Sequence, residues 1–477
     1  MSESVPPEMP AAAPVTSVPS SSSSRPPALP KRSEPPRVRS ALASSKLLPL
    51  LRALALGAGA LLALNLFGLM PAREPHAPKP VKFEPANAID PVRLPERDQS
   101  APRVHKMLLW SFPLCARPAH GARLYRVALR PERDSFVVWC QGEYVLVDVD
   151  ASAELPRVSR LARFAARGER PGGATALDLD YDGVLDLALG VSPAPSAVHR
   201  PFSGVFWLRG RAQGGFELPR TLVEMPVIAV QAAELDDAPG SELVVLTRGD
   251  AAAQRAGDLW VFAGGTSPTR VAVVPTALAP SDLAQANASD GRAGFWISST
   301  QPGSLVQLRF ARTRADWSKP ERIELPLRGV QGFVQSPRGE RALYVRDAQS
   351  VLALEAGEPP KLVPWLNDVE VGPAAWLQTG RENKPSLLAA TEAGFAWFQG
   401  DRRRDRSLPK GTHMLDASTS GAGALQARGV LLLEDAEQGG TLSLAVLPVD
   451  VRDEALELEL RTGALEAGPA EARVALE

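Results

Sequence analysis

The chain has 477 residues and a formal net charge of -1, so no global basic field marks it for nucleic acid. Hydrophobic residues make up 44%, enough for a large core, while 45 prolines and 38 glycines point to turn-rich β structure beside segments that bury nothing. Two cysteines, Cys115 and Cys140, can form one bridge in an oxidising compartment; sequence leaves the pairing open, because it does not give their Cα separation.

Residues 1–45 are rich in proline and serine, with an unbroken Ser20–Ser24 run and the cations Arg25, Lys31, Arg32, Arg37 and Arg39. Such a segment cannot offset its ordering entropy by burial, which predicts a disordered cytoplasmic leader. Residues 46–70 follow as a transmembrane signal-anchor helix. Ala53 to Met70 is 18 residues without a charge, and Leu47 to Leu51 extends the stretch to the roughly 20 residues that span a bilayer core. Leu69-Met70-Pro71-Ala72 is a poor cleavage site, so the anchor is expected to stay. Six Lys/Arg precede it against three Glu, which puts the N-terminus in the cytoplasm. Residues 71–102 hold eight prolines and form a Pro-rich linker; at roughly 3.1 Å per residue it reaches on the order of 100 Å.

From residue 103 short apolar runs alternate with Gly, Asp, Pro and Arg. Candidate second strands of a repeat are Phe136–Cys140, Val184–Leu189, Leu243–Leu246, Phe295–Ile297, Ala342–Val345, Leu387–Ala390 and Val430–Leu433. Candidate third strands include Tyr144–Val149, Gly204–Gly210, Gly257–Ala263, Leu305–Phe310, Val351–Glu355 and Gly394–Gly400. Short strands recurring seven times at this spacing predict an all-β chain, a β-propeller of about seven blades over residues 103–460, with six or eight left open. A sandwich array or solenoid also repeats, but would not keep the same three-run unit. Ala455–Leu460 alternates cleanly and is expected to pair with Lys106–Trp110 to close the ring. Residues 461–477 remain as a C-terminal tail.

One stretch carries a dense carboxylate pattern. Asp178, Asp180, Asp182 and Asp186 flank Gly183, with strand-like runs on both sides. This spacing suits a hard cation such as Ca²⁺, with the backbone carbonyl of Val184 as a further oxygen ligand. Gly183 stands where the chain turns sharply. An EF-hand would need a glutamate where Leu189 stands, so the reading is a calcium loop between two strands. The plain alternative is a solvated acidic hairpin.

The aspartate loop followed by Leu187-Ala-Leu-Gly190 resembles the FG-GAP/VCBS repeat, the calcium-binding blade of integrin α-chain propellers and many bacterial surface proteins. Glu234-Leu-Asp236-Asp237-Ala-Pro-Gly240-Ser-Glu242 resembles a degenerate copy, one residue short between glycine and last carboxylate, and Asn287–Gly291 keeps less. The resemblance implies a propeller used as an extracytoplasmic recognition surface, with calcium in a structural role.

Enzyme signatures are missing: no G-x-S-x-G elbow, P-loop, H-E-x-x-H or dinucleotide fingerprint occurs, and the five histidines are scattered. Trp207, Trp260, Trp376 and Trp397 sit in apolar strand slots and are expected to pack between blades; Asp401–Arg406 is expected to be a solvated inter-blade loop. The expectation is therefore a single-pass, bacterial-type membrane protein with its propeller periplasmic or extracellular. It would bind a protein or glycan partner and no nucleic acid. An enzyme with its site at the channel mouth (a lyase, hydrolase or quinone-dependent dehydrogenase) and an envelope-assembly scaffold stay open.

Overall fold

The computed structural model describes most of residues 105–476, short connecting segments excepted. The leader, the helix 46–70, the linker and the degenerate loop 287–291 therefore lie outside the described residues, as do the side chains around Trp376. Among the described residues no helix is long and apolar enough to cross a membrane.

The chain enters with β1 (His105–Ala116) and then lays down strands in consecutive groups of four. Sheet one is β2 (Leu124–Arg130), β3 (Arg133–Cys140), β4 (Glu143–Asp150) and β5 (Arg157–Ala166). Sheet two is β6 (Arg170–Leu177), β7 (Asp186–Ser192), β8 (Gly204–Leu208) and β9 (Arg220–Val223). Sheet three is β10 (Val227–Ala233), β11 (Glu242–Thr247), β12 (Asp258–Ala263) and β13 (Thr269–Pro275). Sheet four is β14 (Pro280–Gln285), β15 (Gly294–Ser299), β16 (Leu305–Arg309) and β17 (Glu321–Leu325). Sheet five is β18 (Gly332–Val334), β19 (Leu343–Arg346), β20 (Ser350–Glu355) and β21 (Lys361–Asn367). Sheet six is β22 (Ala374–Thr379), β23 (Lys384–Thr391), β24 (Gly394–Gln399) and β25 (Arg402–Ser407). Sheet seven runs β26 (Thr412–Ser420), β27 (Arg428–Asp435), β28 (Thr441–Val446), β1 and β29 (Ala455–Thr462), and β30 (Glu466–Leu476) adds to β5.

Burial explains why these runs are strands of this kind. The second strands β3, β7 and β11 are continuous apolar runs buried almost throughout. A run without alternation suits a strand covered on both faces. The cover is the neighbouring sheet. Separate apolar clusters fill the gaps between sheets seven and one, one and two, two and three, three and four, four and five, and six and seven. The first strands β2, β6, β10, β14, β18, β22 and β26 contact one another in that order, and β26 returns to β2. The sheets thus form a closed ring, the arrangement of a β-propeller, with the first strands at its axis.

The ring closes through pairings far apart in sequence. β1 is antiparallel to β28, with Trp110 opposite Val446, and parallel to β29, with Met107 opposite Leu458. The pairing expected between Ala455–Leu460 and Lys106–Trp110 is therefore present. The stretch read as a tail is different: Arg461 and Thr462 belong to β29, and β30 runs parallel to β5 with Arg473 opposite Arg163. Polar and small residues hid this strand, because an outermost strand has little to bury. The Cys115–Cys140 disulfide joins β1 of sheet seven to β3 of sheet one, with a Cα separation of 6.0 Å. Near it, Arg117 bonds both carboxylate oxygens of Glu434, at 2.7 and 2.8 Å.

Two further differences from the sequence reading have local causes. Val184 and Leu185 belong to the loop, and β7 begins at Asp186. Arg402–Ser407 forms β25 instead of a loop, pairing with the aromatic β24 so that Arg404 lies opposite Trp397. Trp207 and Trp397 are buried between sheets as expected, while Trp260 is only partly buried.

Buried polar groups lock neighbouring sheets together. The Tyr144 hydroxyl on β4 donates to the Gly190 carbonyl and accepts from the Gly172 N–H at 3.2 Å. Ser192 Oγ accepts from Val227 N–H at 2.7 Å and donates to the Val227 carbonyl. Gly172 and Gly190 permit this approach: a Cβ on Gly172 would come within 2.9 Å of the Val227 carbonyl oxygen.

Candidate metal centre and its arginine-held copy

The loop between β6 and β7 is folded by its own carboxylates. Asp178 accepts from the N–H groups of Asp182 and Gly183, at 3.1 and 2.9 Å. Asp182 accepts from Val184 N–H at 2.8 Å. These are the local side-chain-to-backbone bonds that aspartate favours in turns. Gly183 has φ +84°, as a sharp turn requires, and Tyr181 also adopts positive φ, at +63°.

Asp186 lies beneath the loop, with none of its surface exposed. One oxygen accepts from Leu179 N–H at 3.1 Å and Trp207 Nε1–H at 2.8 Å; the other accepts from Gly210 N–H at 2.7 Å. Burial pushes its pKa up, and the three donors act in the opposite direction. Asp186 thus ties the start of the loop to β8 and the turn after it.

Oxygens of Asp178, Asp180 and Asp186 lie within 4.8 Å of one another. The fourth expected carboxylate, Asp182, faces Arg209 instead, with Nη2 at 2.8 Å, and Arg209 Nε also pairs with Asp180. These bonds, to Asp182 first, raise the pKa of the Arg209 guanidinium. Val184 meets the group through its N–H, as donor to Asp182. The structure therefore brings together three of the expected ligands and adds a cation that the sequence did not reveal. Arg209 follows β8, and only pairing of β7 with β8 carries it to the loop.

Sheet three repeats the arrangement. Glu242 is buried and accepts from Leu235 N–H at 3.0 Å, across the same seven-residue separation as Leu179 and Asp186. The stretch from glycine to last carboxylate is one residue shorter, as the sequence indicates, because the glycine stands one position later, at Gly240 with φ +100°. Arg314 takes the place of Arg209, with Nε 2.6 Å from Asp236 and Nη2 3.0 Å from Glu242. It comes from a short 3-10 turn after β16 of sheet four, so it also joins two sheets. Burial pushes the Glu242 pKa up. Burial works against the charge of Arg314, but its bonds to Asp236, Tyr181 and Glu242 outweigh it and raise the guanidinium pKa. Tyr181 connects the two copies: it bonds Arg314, and its ring lies against Gly240 and Gly264, where a Cβ would collide with it.

A second polar group is borne by the first strands of the ring and the residue before β2. Arg123 directly precedes β2 and is solvent-exposed. Burial opposes its charge, but Asp416 on β26, Tyr125 on β2 and Asp282 on β14 outweigh it and raise its pKa. Burial also raises the pKa of Tyr125. Asp416 accepts from Leu124 N–H at 2.9 Å and Asp282 from Phe333 N–H at 3.0 Å, so both carboxylates also tie sheets together.

No protein-family model matches the chain. No curated protein matches it either. Among solved structures, BBS1N in complex with ARL6DN is similar at 14% identity, over 73% of this chain and 100% of that one, with a TM-score of 0.46. Sqt1 from Chaetomium thermophilum is similar at 12% identity, over 69% of this chain and 82% of that one, with a TM-score of 0.44. At these scores the likeness carries no argument; the fold rests on the sheets and ring described above.

Proposed function

We propose that the chain is a membrane-anchored, extracytoplasmic propeller of seven blades, one per sheet, that binds a protein or glycan partner without chemistry of its own. The observation that carries this reading is the Cys115–Cys140 bridge across the ring closure. A structural disulfide supports an oxidising compartment outside the cytoplasm, and residues 46–70 are the anchor that would hold the ring there. The FG-GAP/VCBS resemblance of the Asp178–Asp186 loop supports the same assignment. Alkaline phosphatase, which needs disulfides to be active, is expected to be active when fused after Glu477. Gently solubilised envelope is expected to yield the chain bound to a second macromolecule. A silent reporter, or a protein recovered alone, overturns the reading.

Calcium belongs to this proposal as a structural ion. Asp178, Asp180 and Asp186 would hold it, with Asp182 and the Val184 carbonyl completing the expected set. Their all-oxygen donors fit a hard cation. Bound there, the ion would stiffen the blade turn by neutralising its carboxylates. Arg209 is its competitor, because it already neutralises Asp180 and Asp182. Asp180→Ala is expected to lower the melting temperature in calcium. In EDTA the same change is expected to leave it nearly unchanged, because the lost pair with the half-exposed Arg209 is offset by relief of Asp180's crowding against Asp178 and Asp186. Equal melting of both proteins in both buffers would show that no ion binds.

One observation favours a second reading. Arg123, Tyr125, Asp282 and Asp416 influence one another electrostatically and lie on or just before first strands of the ring, where a propeller enzyme such as a lyase, hydrolase or quinone-dependent dehydrogenase would keep its site.

A further inference from the structure

The last strand of a sheet keeps a row of N–H and C=O groups that its own sheet does not pair, which makes it a template for an added strand. Proteins blunt such edges by shortness, charge or proline. Most edges here are blunted. β9 has four residues, β17 reads Glu-Arg-Ile-Glu-Leu, β21 carries Pro364 at its centre, and β25 is dominated by arginine. Sheets seven and one end in β29, with Glu457, Glu459 and Arg461, and β30, with Pro469, Glu471 and Arg473.

β13 is the exception. Its centre is Val271-Ala272-Val273-Val274, and among the described strands it pairs with β12 alone. Ala272 and Val274 are buried in the core between sheets three and four, whereas Val271 and Val273 are 39% and 41% exposed. Val273 lies opposite Trp260 on β12, whose ring carries the Arg270 guanidinium at 4.4 Å. An apolar strip therefore runs along the centre of this edge, with Arg270 and Pro275 only at its two ends and the one register shift at Val271.

The chain itself shows what such an edge accepts. β1, fourth in sheet seven, takes β29 in parallel; β5, fourth in sheet one, takes β30 in parallel. β13 is fourth in sheet three and has no fifth strand among those described. We propose that β13 is a docking edge for an extended segment of a partner polypeptide, which adds as a parallel fifth strand and lays alternate apolar side chains on Val271 and Val273. Main-chain bonds supply affinity in this mode, and the alternate side chains supply specificity. A glycan has no evenly spaced row of amides to match the edge. A second copy pairing through its own β13 across a two-fold axis would be antiparallel.

The inference rests on the binding-module reading and gives it a site and a partner class. The test places a photoreactive phenylalanine analogue at Val273, at Tyr181 or at Ile323 on β17, in the full-length protein in its own cells. Val273 is expected to cross-link to one short segment of a partner polypeptide. Val271→Lys in the same chain is expected to cut that yield at least about tenfold, because the contact would bury an unpaired charge. Adducts from Tyr181 or Ile323 with none from Val273 overturn the docking edge and leave the binding reading standing. An adduct between two copies of the chain overturns the proposed occupant. No adduct from any of the three positions counts against both readings.

Discussion

Asp186→Ala is expected to destabilise the propeller by about 3–5 kcal/mol, the scale of several buried donors left without an acceptor. The cause does not depend on a bound ion, so the loss is expected in EDTA as well. Three buried donors, Leu179 N–H, Trp207 Nε1–H and Gly210 N–H, would lose their acceptor together, each at a cost of roughly 1–3 kcal/mol unless water reaches it. Asp186→Asn keeps one acceptor oxygen but aims an amide N–H at a donor, so its loss should be smaller, at about 1–3 kcal/mol. Denaturant unfolding of the three proteins measures this directly. An Asp186→Ala midpoint within about 0.5 kcal/mol of wild type would mean that the carboxylate does not hold the turn.

The same residue carries a pH signature. Its folded pKa is raised by burial above the ordinary 3.8, so the folded state binds the proton more readily than the unfolded chain. The penalty for burying the charge is present above the folded pKa and is relieved as pH falls through it. The amide introduced by Asp186→Asn cannot titrate, so the stability margin of wild type over that variant should widen on acidification across that window.

Opening the Cys115–Cys140 bridge is expected to cost about 3 kcal/mol, from the chain-entropy scale applied to its 25-residue separation. For a domain of this size that corresponds to a fall in melting temperature on the order of 5 °C. The bridge joins β1, which completes sheet seven, to β3 of sheet one, so its loss weakens the closure of the ring. Cys115→Ser in oxidising buffer should melt with reduced wild type, and reductant should leave the variant unmoved. Coincident melting of variant and oxidised wild type would show that strand pairing alone secures the closure.

The acidic loop was legible as a feature and only partly as a mechanism. The spacing of Asp178, Asp180 and Asp186 announced converging oxygens, and three of them do converge. Asp182 looked equivalent but faces outward to Arg209, because its neighbour Val184 caps it and the guanidinium arrives from another strand. In the sheet-three copy the glycine stands one position later, and the quantity the two loops share is the separation from backbone donor to last carboxylate. A search for an arginine after the third strand would have found Arg209; Arg314, borrowed from the next sheet, gives no local signal.

By itself, then, the sequence determined an all-β repeat, its phase and the sharp turn at Gly183. Each of those depends on side chains a few residues apart, within one strand or one turn. Tertiary structure alone decided that β1 also pairs with β28, that the two cysteines meet, that β30 is a strand, and that arginines neutralise the blade turns. Those contacts join residues such as Arg117 and Glu434, 317 positions apart, whose encounter depends on how seven sheets pack around one axis.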